Sequence, residues 1–454
     1  MSHAGRGRRA IRLISARLRG ALWPIPVIGI LLAVGLGIGI GLPAVDGLLE
    51  GRDSGHPLTF VFGGGPSAAR DLLAAIAGSL ISVTGLIFSL TVVAFQLGSS
   101  QYSPRLLQTF ATDRVVQLTL AQLTATFVYA LSVLRTVRTE SATEGETAFV
   151  PRLSITVAYA LTLGSVLAVV LFLGHLARAL RVETMLRDVH EEAGATLDRE
   201  LPEDLEPPAP VRLPSGPGIP VASPSSGFVV DVDEERLVSA AAGADVVVLL
   251  AARIGDSVVT GTPLAHAWAR DGVRDPDTAA LQEALGRSVR LGFDRSPARD
   301  IAYSLRKVVD ITVRALSPGI NDPTTAVHAL SHASALLGDL VSRPLEPDCR
   351  ADEDGVVRLV VPQWTPEDLV DLVLEEPLHC ASGQPAVLRR IAALLREVAW
   401  RAPRGVVDCA LRDRLRSVVD LAAESTRITA SERRSWEEAL DSALTGVWPA
   451  NRPG

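Results

Sequence analysis

This chain of 454 residues contains few lysines and cysteines, and its basic residues do not outnumber its acidic ones. Lys307 is the single lysine, and we attribute the arginine-rich composition to coding bias. A formal net charge of -7, with no domain-wide basic excess, argues against a nucleic-acid-binding protein. Cys349, Cys380 and Cys409 are odd in number and lack metal-ligand spacing, which predicts reduced thiols rather than disulfides.

Motifs for chemistry are also missing. The sequence contains no nucleophile elbow, Walker loop, dinucleotide fingerprint or zinc motif. We therefore predict no enzyme and no cofactor. Hydrophobic residues, in contrast, make up 48% of the chain, and they are concentrated in the first 180 residues. This distribution predicts a helical multi-pass membrane domain, embedded in a lipid bilayer, followed by a soluble region.

Four apolar segments predict transmembrane helices, at residues 21–42, 72–97, 115–134 and 153–176. A basic tail, residues 1–20, precedes them, and the first apolar segment is too long for a cleaved signal peptide. Arginines near the span ends number eleven on one side and five on the other. The positive-inside rule then places both termini in the cytoplasm.

The first two spans carry small residues at helical spacing. Glycines at 35, 37, 39 and 41 in the first span predict close contact with another helix. In the second span, residues 72–97, which we number helix α2, Ser82, Gly85, Ser89 and Gln96 form one small, polar stripe, which we call the α2 stripe. A helix surrounded only by lipid gains nothing from such a stripe, so it must face another helix or water.

Two interpretations of the α2 stripe remain open. It could line a solute path in a homo-oligomer, with Ser103, Pro104 and Arg105 at the inner mouth. Alternatively, it could only pack between helices, with its hydroxyls bonded to carbonyls of the same helix. The first interpretation makes the protein a channel or transport-related protein; the second makes it a membrane-tethered scaffold or sensor that binds an unknown cytoplasmic partner.

Beyond the transmembrane domain (21–177), the sequence predicts a membrane-exit helix (178–200), a proline-rich linker (201–226) and a small β module (227–270). Residues 255–264, GDSVVTGTPL, resemble the final strands of barrel-sandwich modules of the biotinyl and lipoyl type, with Val258 and Leu264 packing inward. The lysine that such modules modify is missing, so a structural or regulatory role is expected.

A helical cytoplasmic domain is predicted for residues 271–450. Ser296-Pro297, Asp322-Pro323 and Thr365-Pro366 each place a capping side chain before proline, which is typical of a helix start.

Three groups of residues in this domain are candidate sites. Arg299, Tyr303 and Arg306 share one helix face that could contact a partner, although such a row is usually solvated. Asn321 and Asp322 occupy a turn that could bind an anion, although a capping role suffices. His328 and His332 have the i,i+4 spacing of metal ligands, but no third ligand is within sequence reach, so we predict no metal site.

Two longer motifs together identify a family resemblance. They are FSLTVVAFQLGSSQYSPRLL at 88–107 and RSPARDIAYSLRKVVDITVRALSPGINDPTTAVHAL at 295–330. In this order, with a strand-rich segment between them, they resemble a bacterial family of predicted membrane proteins, domain of unknown function 2254. The resemblance covers nearly the whole chain. It implies a multi-pass inner-membrane protein with a cytoplasmic α+β region and carries no established activity.

Overall fold

The computed structural model describes residues 24–50, 62–101, 113–138, 148–179, 181–202, 216–270, 277–425 and 427–449. Side chains are described within these ranges except at 24–30, 48–50 and 97–101. The chain divides into two compact units, Met1–Arg181 and Val182–Gly454. We call them the membrane unit and the downstream unit.

The membrane unit contains four long helices in its described residues. They are α1 (Pro24–Glu50), α2 (Pro66–Gln101), α3 (Arg114–Leu134) and α4 (Arg152–Ala179). Within the described residues, α2, α3 and α4 are long and apolar enough to cross a membrane, and α1 adds a shorter apolar stretch, Leu31–Gly47. Three of the four predicted spans therefore have helices of the required length and composition, and the count of four stays a prediction.

Helix α3 is the centre of the membrane unit, because it packs against α1, α2 and α4. This position explains why the predicted third span is so polar. The hydroxyl of Thr126 donates to the Gln122 carbonyl at 2.8 Å and accepts a hydrogen bond from Ser165 of α4 at 3.1 Å. The buried Tyr129 hydroxyl donates to the carbonyl of Ser154 at 2.9 Å. Thr126 and Tyr129 of α3 thus find protein partners where lipid would provide none.

Two glycines of α1 allow its close approach to α3. A Cβ at Gly35 would lie 2.8 Å from the Ala125 carbonyl oxygen, and one at Gly39 would lie 2.8 Å from Cβ of Ser132. A Cβ at Gly37 or Gly41 would have no other atom within 4 Å. Close contact is therefore confirmed for two of the four glycines, which are spaced four apart as helical geometry requires.

The first helix extends beyond residue 42, where the predicted first span ends. Helix α1 continues through Pro43 to Glu50. Its buried Asp46 accepts hydrogen bonds from the backbone N–H of Leu153 and Ser154, each at 3.0 Å, and from the Ser154 hydroxyl at 2.6 Å. The extra turns place a carboxylate where the unpaired N–H groups at the start of α4 need an acceptor.

The downstream unit begins with α5 (Val182–Glu200) and contains two sheets. Its eight described strands are β1 (Ile219–Ala222), β2 (Gly227–Val232), β3 (Val246–Leu250), β4 (Ser257–Val258), β5 (Pro263–Ala269), β6 (Val289–Gly292), β7 (Asp348–Ala351) and β8 (Val357–Val361). The larger sheet has the order β1-β5-β3-β8-β7, and the smaller has the order β4-β2-β6. Only the β3–β8 pair is parallel, with Val248 opposite Leu359.

The β region differs from the expected module in its extent. Gly255 and Gly261 adopt positive φ, Val258 and Leu264 are buried, and this part of the motif is confirmed. However, β1 lies in the segment predicted as a linker, and β6, β7 and β8 lie beyond residue 270. The larger sheet contains β1, β3 and β5 together with β7 and β8, which come much later in the chain. A self-contained barrel sandwich is therefore not confirmed.

The downstream unit contains eight further helices in its described residues. They are α6 (Glu234–Gly243), α7 (Thr278–Ser288), α8 (Ile301–Ala315), α9 (Pro323–Val341), α10 (Pro366–Cys380), α11 (Pro385–Arg401), α12 (Asp408–Ala423) and α13 (Ala430–Leu444). Helix α6 packs on β3 and β8, whereas α8 packs against α5, α9 and α10. In the sequence, α8 and α9 fall between β3 and β8, which are parallel neighbours in the larger sheet. The helices and the sheet therefore do not form separate segments of the chain.

Two of the three predicted helix starts are confirmed. Asp322 and Thr365 cap α9 and α10, each directly before a proline. The third is wrong, because α8 begins at Ile301 and its cap is Asp300, not Ser296. The buried Asp300 carboxylate accepts from the Ala302 N–H at 3.2 Å and pairs with Arg295, which Ser296 could not do.

The α1–α3 contact gives a matched pair of substitutions. Gly35→Ala should lower the free energy of unfolding by about 1–3 kcal/mol, because its methyl group meets a backbone oxygen that cannot move alone. Gly37→Ala, in the same helix but facing open space, should be neutral or slightly stabilising. Thermal unfolding of the two variants in detergent measures the difference, and equal midpoints would contradict the contact.

Candidate functional site

The α2 stripe lies on the outside of the single chain. Ser82, Gly85, Ser89 and Gln96 are all exposed, whereas Leu73, Leu80 and Ile87 on the opposite side of α2 are buried against the unit. The stripe therefore points away from α3, which α2 packs against. Bulky apolar residues flank it, namely Ile81, Leu86, Phe88 and Val93.

Contacts within the stripe are local. The Ser82 hydroxyl donates to the Gly78 carbonyl of its own helix at 2.9 Å, as the packing interpretation expects. A Cβ at Gly78 or Gly85 would have no other atom of the described chain within 4 Å. In the described part of the chain, no helix covers these two glycines, so packing of the stripe against another helix stays a prediction. Ser103, Pro104 and Arg105 lie outside the described residues.

In the downstream unit, Arg299 joins three separate elements. Its Nε donates to Glu200 at the end of α5 at 2.9 Å, and its Nη1 donates to Asp231 of β2 at 3.0 Å. Its Nη2 donates to Glu234 at the start of α6, also at 3.0 Å. Burial by itself would lower the pKa of Arg299, but the three carboxylates raise it well above its ordinary value. We call this group the Arg299 network.

The network continues along Glu234. Its second oxygen accepts from Arg350 at 2.7 Å, and Arg350 pairs with Asp348 at 2.6 Å. Burial raises the pKa of Asp348, against the opposing effect of Arg350. The chain of alternating charges therefore extends from the end of α5, through β2 and α6, to β7.

A cleft of about 310 Å³ lies beside the network. Its lining includes Arg199, Glu200, Arg253, Arg299, Arg350 and Trp364. The guanidinium of Arg253 lies 4.0 Å from the centre of the Trp364 ring, and the indole N–H of Trp364 is buried with no hydrogen-bond partner among the described residues. The volume is at the lower end of the range for small-molecule sites. The cleft thus combines charge, a stacking surface and an unused donor.

Two other residues of the predicted contact face are not solvated. Tyr303 is 4% exposed, and Arg306 donates to Glu376 of α10 at 2.6 and 2.9 Å and to Asp310 at 3.1 Å. Helix α8 is buried on nearly all sides because three helices pack on it. The interpretation of this row as a solvated helix face is therefore wrong for Tyr303 and Arg306.

The turn before α9 is structural. Asn321 adopts a left-handed φ of 49°, which asparagine tolerates, and its side chain accepts from Gln384 at 2.8 Å. Asp322 accepts from the N–H of Thr325 at 3.0 Å and from its hydroxyl at 2.6 Å. These bonds lower the pKa of Asp322. A filled, negatively charged cap leaves no room for an anion.

A third histidine lies close to His328 and His332 in the fold, although it is distant in the sequence. His190 of α5 has its ring centre 5.9 Å from that of His332, which in turn is 5.1 Å from that of His328. In the part of the chain that the structure describes, no three His, Cys, Asp or Glu side chains are placed to hold a metal ion.

Sequence reasoning missed most of the Arg299 network. Arg299 itself was singled out, but Glu200, Asp231 and Glu234 are 99, 68 and 65 residues away from it. Acidic residues at such separations carry no local signal. Trp364 was likewise missed, since a single tryptophan before a helix start has no pattern.

Comparison with known proteins places the chain in context. The family model described as "Predicted membrane protein (DUF2254)" matches residues 19–397. The uncharacterised proteins Rv1290c of Mycobacterium tuberculosis and Mb1321c of Mycobacterium bovis are each 31% identical over 443 residues, covering 96% of this chain and 82% of each relative. No solved structure matches the chain.

Substituting Arg299 tests the network. Arg299→Gln should lower the free energy of unfolding by about 1–3 kcal/mol, because it removes the one cation that three carboxylates share. Their other partners, Arg199, Arg290 and Arg350, are more exposed than Arg299 and compensate only in part. Arg299→Lys should recover only part of this, since an ammonium cannot reach three acids in fork geometry.

Arg287→Gln is the matched control, because Arg287 is exposed and pairs with Glu283 alone. Its effect should stay below about 0.5 kcal/mol. Chemical unfolding of the purified chain, followed by tryptophan fluorescence, gives all three values. An Arg299→Gln variant as stable as the control would show that the network contributes nothing.

Proposed function

The chain belongs to the predicted membrane protein family DUF2254, and we propose that it is a homo-oligomer in which copies of α2 meet along the α2 stripe and line a path for a small solute. The observation that carries this proposal is the exposure of Ser82, Gly85, Ser89 and Gln96 on the side of α2 opposite its packed face. The location follows from the apolar helices: the protein resides in a membrane.

The energetic argument starts from lipid as a solvent. The Gln96 side chain has an amide with two donors and an acceptor, and hydrocarbon can satisfy none of them. Ser82 satisfies its own hydroxyl on the Gly78 carbonyl, but this does not explain why the exposed face is small. Small residues favour close approach of a second helix, and polar residues favour water or another polar side chain. An interface between copies meets both conditions.

A water-lined path is favoured over a dry interface by the length of the stripe. Gly78 is exposed on the same face of α2, one turn before Ser82, and with it the small and polar face extends over 18 residues to Gln96, about 27 Å along a helix. This is close to the thickness of the hydrocarbon core. The stripe carries no acid or lysine, so selection by a fixed charge on this helix face is not part of the proposal.

The cleft beside the Arg299 network favours a second candidate function. In that case the spans serve only as a membrane anchor. The downstream unit carries the function, as a sensor or scaffold that binds a partner. The buried, unpaired indole N–H of Trp364 and the stacked Arg253 are the observations that favour it. The two candidates differ in whether the α2 stripe is needed for activity.

Reconstitution distinguishes them. Purified protein in liposomes should release potassium chloride along a gradient, and its mass in detergent should correspond to a defined oligomer. Gly85→Leu should abolish both the release and the oligomer, because the larger side chain occupies the contact surface.

Gly174→Leu is the matched control and should change neither. Gly174 is also an exposed helical glycine, on α4, where a Cβ would have no atom within 4 Å. A folded monomer in sealed liposomes would contradict the proposal. A defined oligomer in sealed liposomes would contradict the solute path and favour the sensor or scaffold.

A further inference from the structure

Three histidines meet where α5 packs against α9. The ring of His332 lies between those of His190 and His328, at centre distances of 5.9 and 5.1 Å. His328 is exposed, whereas His190 and His332 are partly buried. His332 is therefore the central ring of the cluster, with a histidine on either side.

The surroundings of the cluster disfavour such charges. The Nδ1 atom of His190 is buried and has no hydrogen-bond partner in the described structure, so a proton there would be poorly solvated. Burial, followed by the nearby charges of His328 and His190, lowers the pKa of His332. Placing two positive charges about 5–6 Å apart is unfavourable at a partly buried site.

Carboxylates on the packed elements have other partners. Glu192 of α5 pairs with Lys307 of α8 at 2.5 Å, and Glu397 of α11 accepts from Ser334 of α9 and pairs with Arg390. Further charged pairs on these helices are Arg187–Glu191, Asp339–Arg401, Arg306–Glu376, Arg306–Asp310, Arg396–Glu397 and Arg389–Glu432, and Asp188, Asp310 and Arg314 also have interactions. The charges that act on His332 are those of the two other histidines.

We propose that His190, His328 and His332 form a proton-binding site that loosens the N-terminal half of α5 from α9 when the surroundings become acidic. The packed state holds fewer protons than the separated helices, because burial and the two neighbouring histidines disfavour the charged form of His332. The contact is thus fully stable above the ordinary histidine range, and it weakens as the pH falls through that range.

The effect should be limited to one half of α5. Beyond His190, the helix is held by contacts that contain no histidine: Arg343 donates to the Leu197 and Leu201 carbonyls and pairs with Asp198 at 2.8 Å. Thr196 also donates to the Pro297 carbonyl at 3.1 Å. Since α5 follows the last helix of the membrane unit in sequence, its first half is the covalent connection through which a pH signal would pass.

Hydrogen exchange of the full chain in lipid nanodiscs tests this proposal. At pH 5.5, peptides covering residues 182–190 should open roughly threefold or more often than at pH 7.5, after correction for the intrinsic exchange rate. Peptides covering residues 194–200 should not change. His332→Gln should remove the pH effect, since glutamine cannot be charged.

A second variant and a control complete the test. His328→Gln, at an exposed position that should not impair folding, should reduce the pH effect. His379→Gln should behave like the unmodified protein, because His379 lies on α10 with its ring bonded to the Glu375 carbonyl of its own helix. Equal exchange at both pH values, or the same pH effect in all variants, would overturn the proposal.

Discussion

The membrane unit depends on the inability of hydrocarbon to satisfy polar groups. Asp46 of α1 binds the free N–H groups at the start of α4, and Tyr129 of α3 donates to a carbonyl in the same turn of α4. Thr126 and Ser165 pair between α3 and α4. Each of these groups would be costly in lipid, and each instead fixes the position of one helix against another.

The α2 stripe differs from these groups, because its polar residues are exposed on the outside of the unit and do not bond to another helix of the described chain. Its polar and small residues face outward, while the apolar side of α2 packs inward. In a water-soluble protein such an arrangement would be ordinary. In a membrane helix it indicates that the outward face meets something other than lipid, which is the basis for proposing contact between copies.

The downstream unit is organised by connectivity as much as by packing. Its larger sheet pairs β3 with β8 in parallel. The segment that contains α7, α8 and α9 connects these two strands along the chain. Arg299 stands at the start of α8 and binds acids from α5, β2 and α6. One guanidinium therefore connects the start of α8 with the smaller sheet and with α5, the helix that follows the membrane unit in sequence.

Local patterns in the sequence predicted the features that local physics determines. The apolar segments became α2, α3 and α4, the Gly255–Leu264 motif became a turn between strands, and Asp322 and Thr365 capped helices. Features that depend on distant residues could not be predicted. The sheet partners of β3, the acids of the Arg299 network and the neighbour of His332 are all set by tertiary packing.

The start of α8 shows how a local rule can fail. Ser296-Pro297 has the form of a helix start, yet the helix begins four residues later, because the buried Asp300 can both cap it and pair with Arg295. The side of α2 that faces outward is a related case. Periodicity revealed the stripe, but only the packing of α3 decided which face stays uncovered.

Cysteine cross-linking in membranes tests the central claim most directly. Ser89→Cys, in a chain whose three native cysteines are replaced by serine, should form disulfide-linked dimers under mild oxidation. Gly174→Cys, equally exposed on α4, should stay monomeric under the same conditions. Dimers from both variants, or from neither, would contradict an interface built on the α2 stripe.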